Sequence, residues 1–164
     1  MKRGIWGRTL TGIAALCLVA SAASAAAKGK EPIVGSWELD ATKSTATGRP
    51  ALKSARAVIT VGKDGMHGSV DAVPGSGAAV HYDWVGQYDG SDIHVNGNTY
   101  YDTFTVLKTD KNTLIRTERR GGKVVGITTI EVSKDGKTMT ASTRATLPDG
   151  HQFSSSSVYH RVKK

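Results

Sequence analysis

The chain is nearly free of cysteine, poor in aromatic residues, and carries neither a long apolar run nor the spacing of an amphipathic helix. Each shortage removes a class of protein. Its one cysteine is Cys17, and aromatic residues make up 6% of the 164 positions. A single cysteine cannot close a disulfide within the chain, so no disulfide framework holds the fold. The longest apolar run, Ile13 to Val19 with its neighbouring alanines, gives way to small residues before reaching the roughly 17 to 25 residues that a membrane-crossing helix needs. Beyond residue 25 no segment of ten or more residues repeats apolar side chains at i, i+3 and i+4, which argues against a helical architecture.

What is present at the N-terminus reads as an export signal. Lys2, Arg3 and Arg8 form a basic front, the apolar run follows, and Ala23-Ser24-Ala25 offers a small-residue cleavage site. The predicted organisation is a signal peptide over 1–25, a flexible leader over 26–32 and one domain over 33–164, exported to the periplasm or the extracellular space. Lipidation at Cys17 is the alternative, but Ala14-Ala15-Leu16 puts a leucine where a small residue belongs. Cleavage leaves 139 residues without cysteine; it removes three of 22 basic and none of 14 acidic residues, so the formal charge falls from +8 to +5. The remaining basic residues are spread out, apart from Arg116, Arg119, Arg120 and Lys123, a cluster broken by Glu118 with no aromatic beside it. A nucleic-acid surface wants basic residues interleaved with stacking rings, so no nucleic-acid partner is expected and a solvated strand face explains the cluster better.

The rest of the chain alternates short strand-like stretches with turn signals: Asp64-Gly65, Pro74-Gly75, Asp89-Gly90, Asn96-Gly97, Gly121-Gly122, Asp135-Gly136 and Asp149-Gly150. These residue types reach positive φ at low cost. Strands are predicted from Ile33 to Leu39, around Ala57 to Val61, and from Met66 to Val73, with the aromatic face Val80, Tyr82, Trp84 and Tyr88 following. Ile93 to Val95, Thr103 to Lys108, Thr113 to Arg120, Val124 to Ser133, Thr138 to Leu147 and Gln152 to Val162 complete the series. The stretch from Asp40 to Ser54 is the longest connection, read as a helical turn or a loop across one end. Strands in series joined by short turns are antiparallel, and eight to ten of them escape two exposed edges by closing on themselves. The predicted fold is therefore all-β, a single antiparallel up-and-down barrel. Its modest apolar content suits a barrel with a polar or hydrated interior better than a sandwich, and an outer face of Thr, Lys, Ser and Asp argues against a membrane barrel.

Gly35-Ser36-Trp37-Glu38-Leu39-Asp40, followed by Lys43-Ser44, resembles the opening of lipocalin-like proteins, whose first strand carries Gly-x-Trp. Tyr88-Asp89-Gly90, Gly122-Lys123-Val124-Val125-Gly126 and Val132 to Thr140 resemble small exported bacterial proteins of that kind, mostly of unknown function. The resemblance runs over most of residues 33–162 and implies that Trp37 plugs the barrel base beneath an arginine, for which Arg161 is the candidate. Without the family, Trp37 still supplies a large apolar surface beside Gly35, which lets a ring or backbone approach. A ligand-stacking role for Trp37 is the weaker reading.

Catalytic signals are thin. The histidines His67, His81, His94, His151 and His160 form no recognised metal spacing, although His81 and Asp83 share a strand face, and no serine sits in Gly-x-Ser-x-Gly. No metal, no cofactor and no enzymatic activity are expected. Binding is the stronger hypothesis: Tyr82, Trp84 and Tyr88 face one way along a strand, while Tyr100 and Tyr101 lie in a loop where they could rim a mouth or fold back onto the core. Arg116 and Arg144, if inward, would suit a carboxylate head group, and strand register decides which way they point. The expectation is a monomer holding a small apolar or amphipathic ligand. The alternative is a filled barrel acting through its surface on another protein.

Overall fold

Eleven strands and no helix make up the described part of the chain. The structure is a computed structural model that describes residues 31–163. The predicted signal peptide, Cys17 and most of the leader lie outside the described residues. The strands are β1 (Gly35–Leu39), β2 (Thr45–Thr47), β3 (Ser54–Val61), β4 (Met66–Val73), β5 (Val80–Gly86) and β6 (Ile93–Asn96), then β7 (Thr103–Lys108), β8 (Thr113–Arg120), β9 (Lys123–Val132), β10 (Thr138–Thr146) and β11 (Gln152–Val162). Among the described residues no helix is long and apolar enough to cross a membrane.

From β3 to β11 every strand pairs antiparallel with the next, and β1 closes the ring by pairing with both β3 and β11. The result is a closed antiparallel barrel of ten strands, within the predicted range. Ser36 lies opposite Val162 on one side and Val58 on the other, and Trp37 opposite Arg161 and Ala57.

Of the two readings of Asp40 to Ser54, residues 48–53 bear out the loop across one end, while the helical turn is absent and the unexpected strand β2 stands in the stretch. Thr45 to Thr47 pair with Ser156 to Ser154, so β1 and β2 follow one another along the same edge of β11. Between them the chain bulges outward. The Asp40 carboxylate accepts hydrogen bonds from the Thr42 amide (3.2 Å) and hydroxyl (2.6 Å). The Val158 amide donates to the Ser44 hydroxyl at 3.0 Å, replacing a ladder bond the bulge removes.

Turn chemistry sets the two ends. Gly62–Gly65, residues 87–92, 109–112 and 133–137 gather at the base, while residues 48–53, 74–79, 97–102, 121–122 and 147–151 surround the mouth. The core follows strand alternation: Ala55, Ala57 and Ile59 of β3 and Met66, Val70 and Ala72 of β4 are buried, with Ile93, Phe104, Val106 and Leu114 beyond them. Gly68 belongs to this inward row because the Trp84 ring, on the cross-strand partner, lies directly against it; a Cβ there would overlap the indole.

Trp37 is fully buried at the base, and its indole Nε1 donates to the Ile33 carbonyl at 2.8 Å. The Arg161 guanidinium stacks on it, 4.1 Å from the ring centroid. Arg161 also donates to three carbonyls, those of Gly136 (2.6 Å), Val34 (2.7 Å) and Pro32 (2.6 Å). One side chain thus ties the N-terminal entry to the β9–β10 turn. Gly35 sits at φ +150°, and a Cβ there would overlap Arg161 Nη1, so the arginine reaches Trp37 only across a residue without a side chain.

Candidate functional site

Above the plug the interior is a sequence of layers. The lowest is a small apolar void of about 80 Å³ among Ile33, Ile59, Val70, Trp84, Phe104, Val106, Leu114 and Met139. Trp84 and Phe104 pack edge-to-face at 5.5 Å, and Tyr82 stacks on Trp84 at 6.1 Å. Tyr88, just beyond β5, closes this layer from the base side, its hydroxyl accepting from Trp84 Nε1 at 3.4 Å.

The middle layer is polar. Alternation along β8 turns Leu114, Arg116 and Glu118 inward, and β9 answers with Thr128 opposite Arg116. Arg116 donates from Nε (3.0 Å) and Nη2 (2.6 Å) to a single oxygen, Glu118 Oε1, which also accepts from the Thr128 hydroxyl at 2.9 Å. Thr128 shares a further 2.9 Å hydrogen bond with Thr143 of β10. Glu118 and Thr128 are buried. The pair fits because its neighbours are slim: a side chain at Gly126, opposite Glu118, would strike the carboxylate. Val125 is the extra residue of a bulge at this point, where Glu118 pairs with Gly126 but Arg119 with Val124.

Aromatic rings complete the layer. The Arg116 guanidinium lies 5.5 Å from the ring centroids of both Tyr101 and Phe104, and Tyr82 meets Tyr101 edge-on at 6.4 Å. Burial pushes the Tyr101 and Tyr82 hydroxyls above the ordinary tyrosine range, with Arg116 pulling the other way. Burial also opposes the Arg116 charge, but Tyr101, Glu118 and Tyr82 outweigh it and the guanidinium holds its proton more tightly than in water.

The upper layer is a cavity of about 430 Å³ that opens at the mouth. Its walls are Leu52, Val70, Tyr82, Tyr101, Thr143, Phe153, Ser155, Ser157 and Tyr159, its floor is Arg116 and Glu118, and loop residues including Arg49, Tyr100 and Asp149 stand at the rim. Arg49 bridges the opening, its guanidinium 3.9 Å from the Phe153 ring centroid and 5.6 Å from that of Tyr100. The volume falls in the range of roughly 300 to 1,000 Å³ typical of small-molecule pockets.

The sequence candidates separate along this axis. Tyr82, Tyr101 and Arg116 line the cavity, Tyr100 stands exposed at its rim, Trp84 and Tyr88 belong to the apolar floor beneath it, and Gly35, Trp37 and Arg161 meet at the base. Of the two loop tyrosines, Tyr101 folds inward and Tyr100 does not. Arg144 is corrected: the alternation that turns Thr143 and Ala145 inward puts Arg144 on the outer face, opposite Ser154. There it lines a broad solvent-open depression of about 980 Å³ with Thr129, Ser142 and Ser156. Arg116 leaves the basic surface cluster for the interior, and Glu118, read as an interruption of that cluster, is its partner. Sequence reasoning passed over Glu118, Thr128, Thr143, Arg49 and Phe153. The signal was Arg-x-Glu, two opposite charges at the spacing that puts them on one strand face.

His81 lies on the outer wall, Nδ1 2.7 Å from Asp71 and Nε2 3.9 Å from Asp83. Among the described residues no cluster of three or more His, Cys, Asp or Glu side chains is arranged to hold a metal ion. Compared with known proteins, the chain matches no family model and no curated protein.

Proposed function

We propose that this chain is an exported, lipocalin-like carrier that holds a small amphipathic molecule in the upper half of its barrel and does not transform it. The observation that carries the reading is the interior volume of about 430 Å³ left over by the protein's own side chains and open at the mouth. A barrel that served only as a scaffold has no need of such a space, and its wall offers what a ligand of mixed character requires: rings from Tyr82, Tyr101 and Phe153, hydroxyls from Thr143, Ser155 and Ser157, and one charged pair at the floor. The inward carboxylate already accepts from Arg116 and Thr128, and the lining contains no histidine or cysteine, which favours binding over catalysis.

Native mass spectrometry of the mature protein, purified without detergent from its own envelope, tests the reading. A reproducible extra mass that denaturing extraction releases from the wild type, and that a cavity-filling Ser157→Trp variant lacks, is the expected result. A clean apo mass that persists after incubation with lipid and pigment extracts would instead favour the surface reading. That second reading rests on Ile115, Val124 and Ile127, exposed together on the outer face of β8 and β9.

A further inference from the structure

The floor of the cavity carries a chemical preference, and the inference drawn from it rests on the carrier reading above. Both hydrogen bonds from Arg116 go to Glu118 Oε1, one from Nε and one from Nη2. Among the described residues Arg116 Nη1 then donates to no side chain and Glu118 Oε2 accepts from none. Among the described residues no fully buried side-chain nitrogen or oxygen is left without a partner, so neither of these atoms is fully buried, and both side chains line the cavity. The floor therefore carries one spare donor and one spare acceptor, on a pair whose charges cancel. The other charged groups of the lining, Arg49 and Asp149 at the rim, are again one of each sign.

An anionic head group is badly served by such a floor. To reach Nη1 it must approach the Glu118 carboxylate in a partly dehydrated space, where like charges repel more strongly than in water. A cation meets the same difficulty at Arg116. A neutral group with an acceptor next to a donor meets none, because its oxygen takes the proton of Nη1 while its N–H serves Oε2. We infer that the ligand is uncharged and enters head first, with a carboxamide-like acceptor–donor edge seated on Arg116 and Glu118 and an apolar body among the aromatic walls. Free fatty acids and other carboxylates, which an inward arginine alone would have suited, are disfavoured by Glu118.

Three probes of one shape separate the possibilities: naphthalene, naphthamide and naphthoate, titrated calorimetrically at neutral pH into the mature wild type. Naphthamide is expected to bind at least about tenfold tighter than either of the others, since it alone presents an acceptor beside a donor without carrying a charge. In Glu118→Gln the order of amide and carboxylate reverses, with near-ultraviolet circular dichroism reporting that the barrel is intact. Should that variant fail to fold, R116M/E118L removes both charges together, and naphthamide there loses its advantage over naphthalene. Naphthoate equal to or tighter than naphthamide on the wild type overturns the neutral-ligand inference and leaves the carrier reading standing, as does naphthalene binding with no gain from the amide. Binding of none of the three, to a wild type that also shows a clean apo mass, overturns both.

Discussion

The Arg161 guanidinium lies 4.1 Å above the ring of Trp37 and at the same time holds the carbonyls of Pro32, Val34 and Gly136. The stack is therefore part of a knot that fixes the first strand, the last strand and a base turn to each other. Trp37→Ala should cost about 3 to 5 kcal/mol, as for other buried aromatic truncations. Arg161→Lys should still lose about 2 to 4 kcal/mol, because an ammonium cannot serve three divergent carbonyls and cover a ring at once. Urea denaturation of both variants measures this, and an unchanged midpoint for either contradicts the plug.

The buried pair makes a prediction that depends on removing its members together. Glu118→Ala leaves the Arg116 charge uncompensated and should cost about 3 to 5 kcal/mol, while R116M/E118L, which leaves nothing unpaired, should cost less than that single change. Thr128→Val, which deprives Glu118 of one donor, should cost about 1 to 3 kcal/mol. Chemical denaturation of the three variants decides the ranking.

Gly68 is the seat of Trp84. Gly68→Val should displace the indole and cost about 1 to 3 kcal/mol, the usual cost of overpacking. The change should also appear in tryptophan emission, since Trp84 and Trp37 are both buried in the native barrel.

Alkaline titration should expose the interior tyrosines. Tyr82, Tyr101 and Tyr159 are all raised above the ordinary value of 10.0, chiefly by burial, so the folded state favours their neutral forms. Their contribution to stability is fully present below pH 10 and declines as pH rises through the folded values, because only the unfolded chain ionises readily in that interval. Stability measured in urea at a series of alkaline pH values should fall above pH 10, and Tyr101→Phe should shallow the slope.

Arg49 spans the mouth on two rings, the exposed Tyr100 and the buried Phe153, contacts of about 0.5 to 1 kcal/mol each at the low end of such pairs. Arg49→Ala should leave the melting temperature within a few degrees of the wild type and accelerate release of a bound probe. Stopped-flow dilution of a fluorescent ligand distinguishes this from no change, which would remove Arg49 as a barrier to exit.

Some of this was legible in the chain and some was not, for reasons that particular residues show. Asp64-Gly65, Gly121-Gly122 and Asp135-Gly136 announced their hairpins because turn conformation is a local property. The facing of β8 was not local: Leu114 lies on one side of the strand and Ile115 on the other, so hydrophobicity left its register open, and only pairing with Thr128 and Thr129 resolves it. Around Arg144, the small residues Ala141, Ser142, Thr143 and Ala145 gave too little contrast to say which face was inner. Strand β2 was invisible, since Thr45-Ala46-Thr47 acquires strand geometry only by lying along β11.

The ring is closed by its first and last strands, Trp37 of β1 opposite Arg161 of β11. Growth of the polypeptide and closure of the cylinder are thus tied together in time: while residues beyond 150 are still unmade, everything before them can form only an open curved sheet with raw edges. Strand β11 acts as a latch, and a chain cut before it would turn a closed ring into a sticky ribbon.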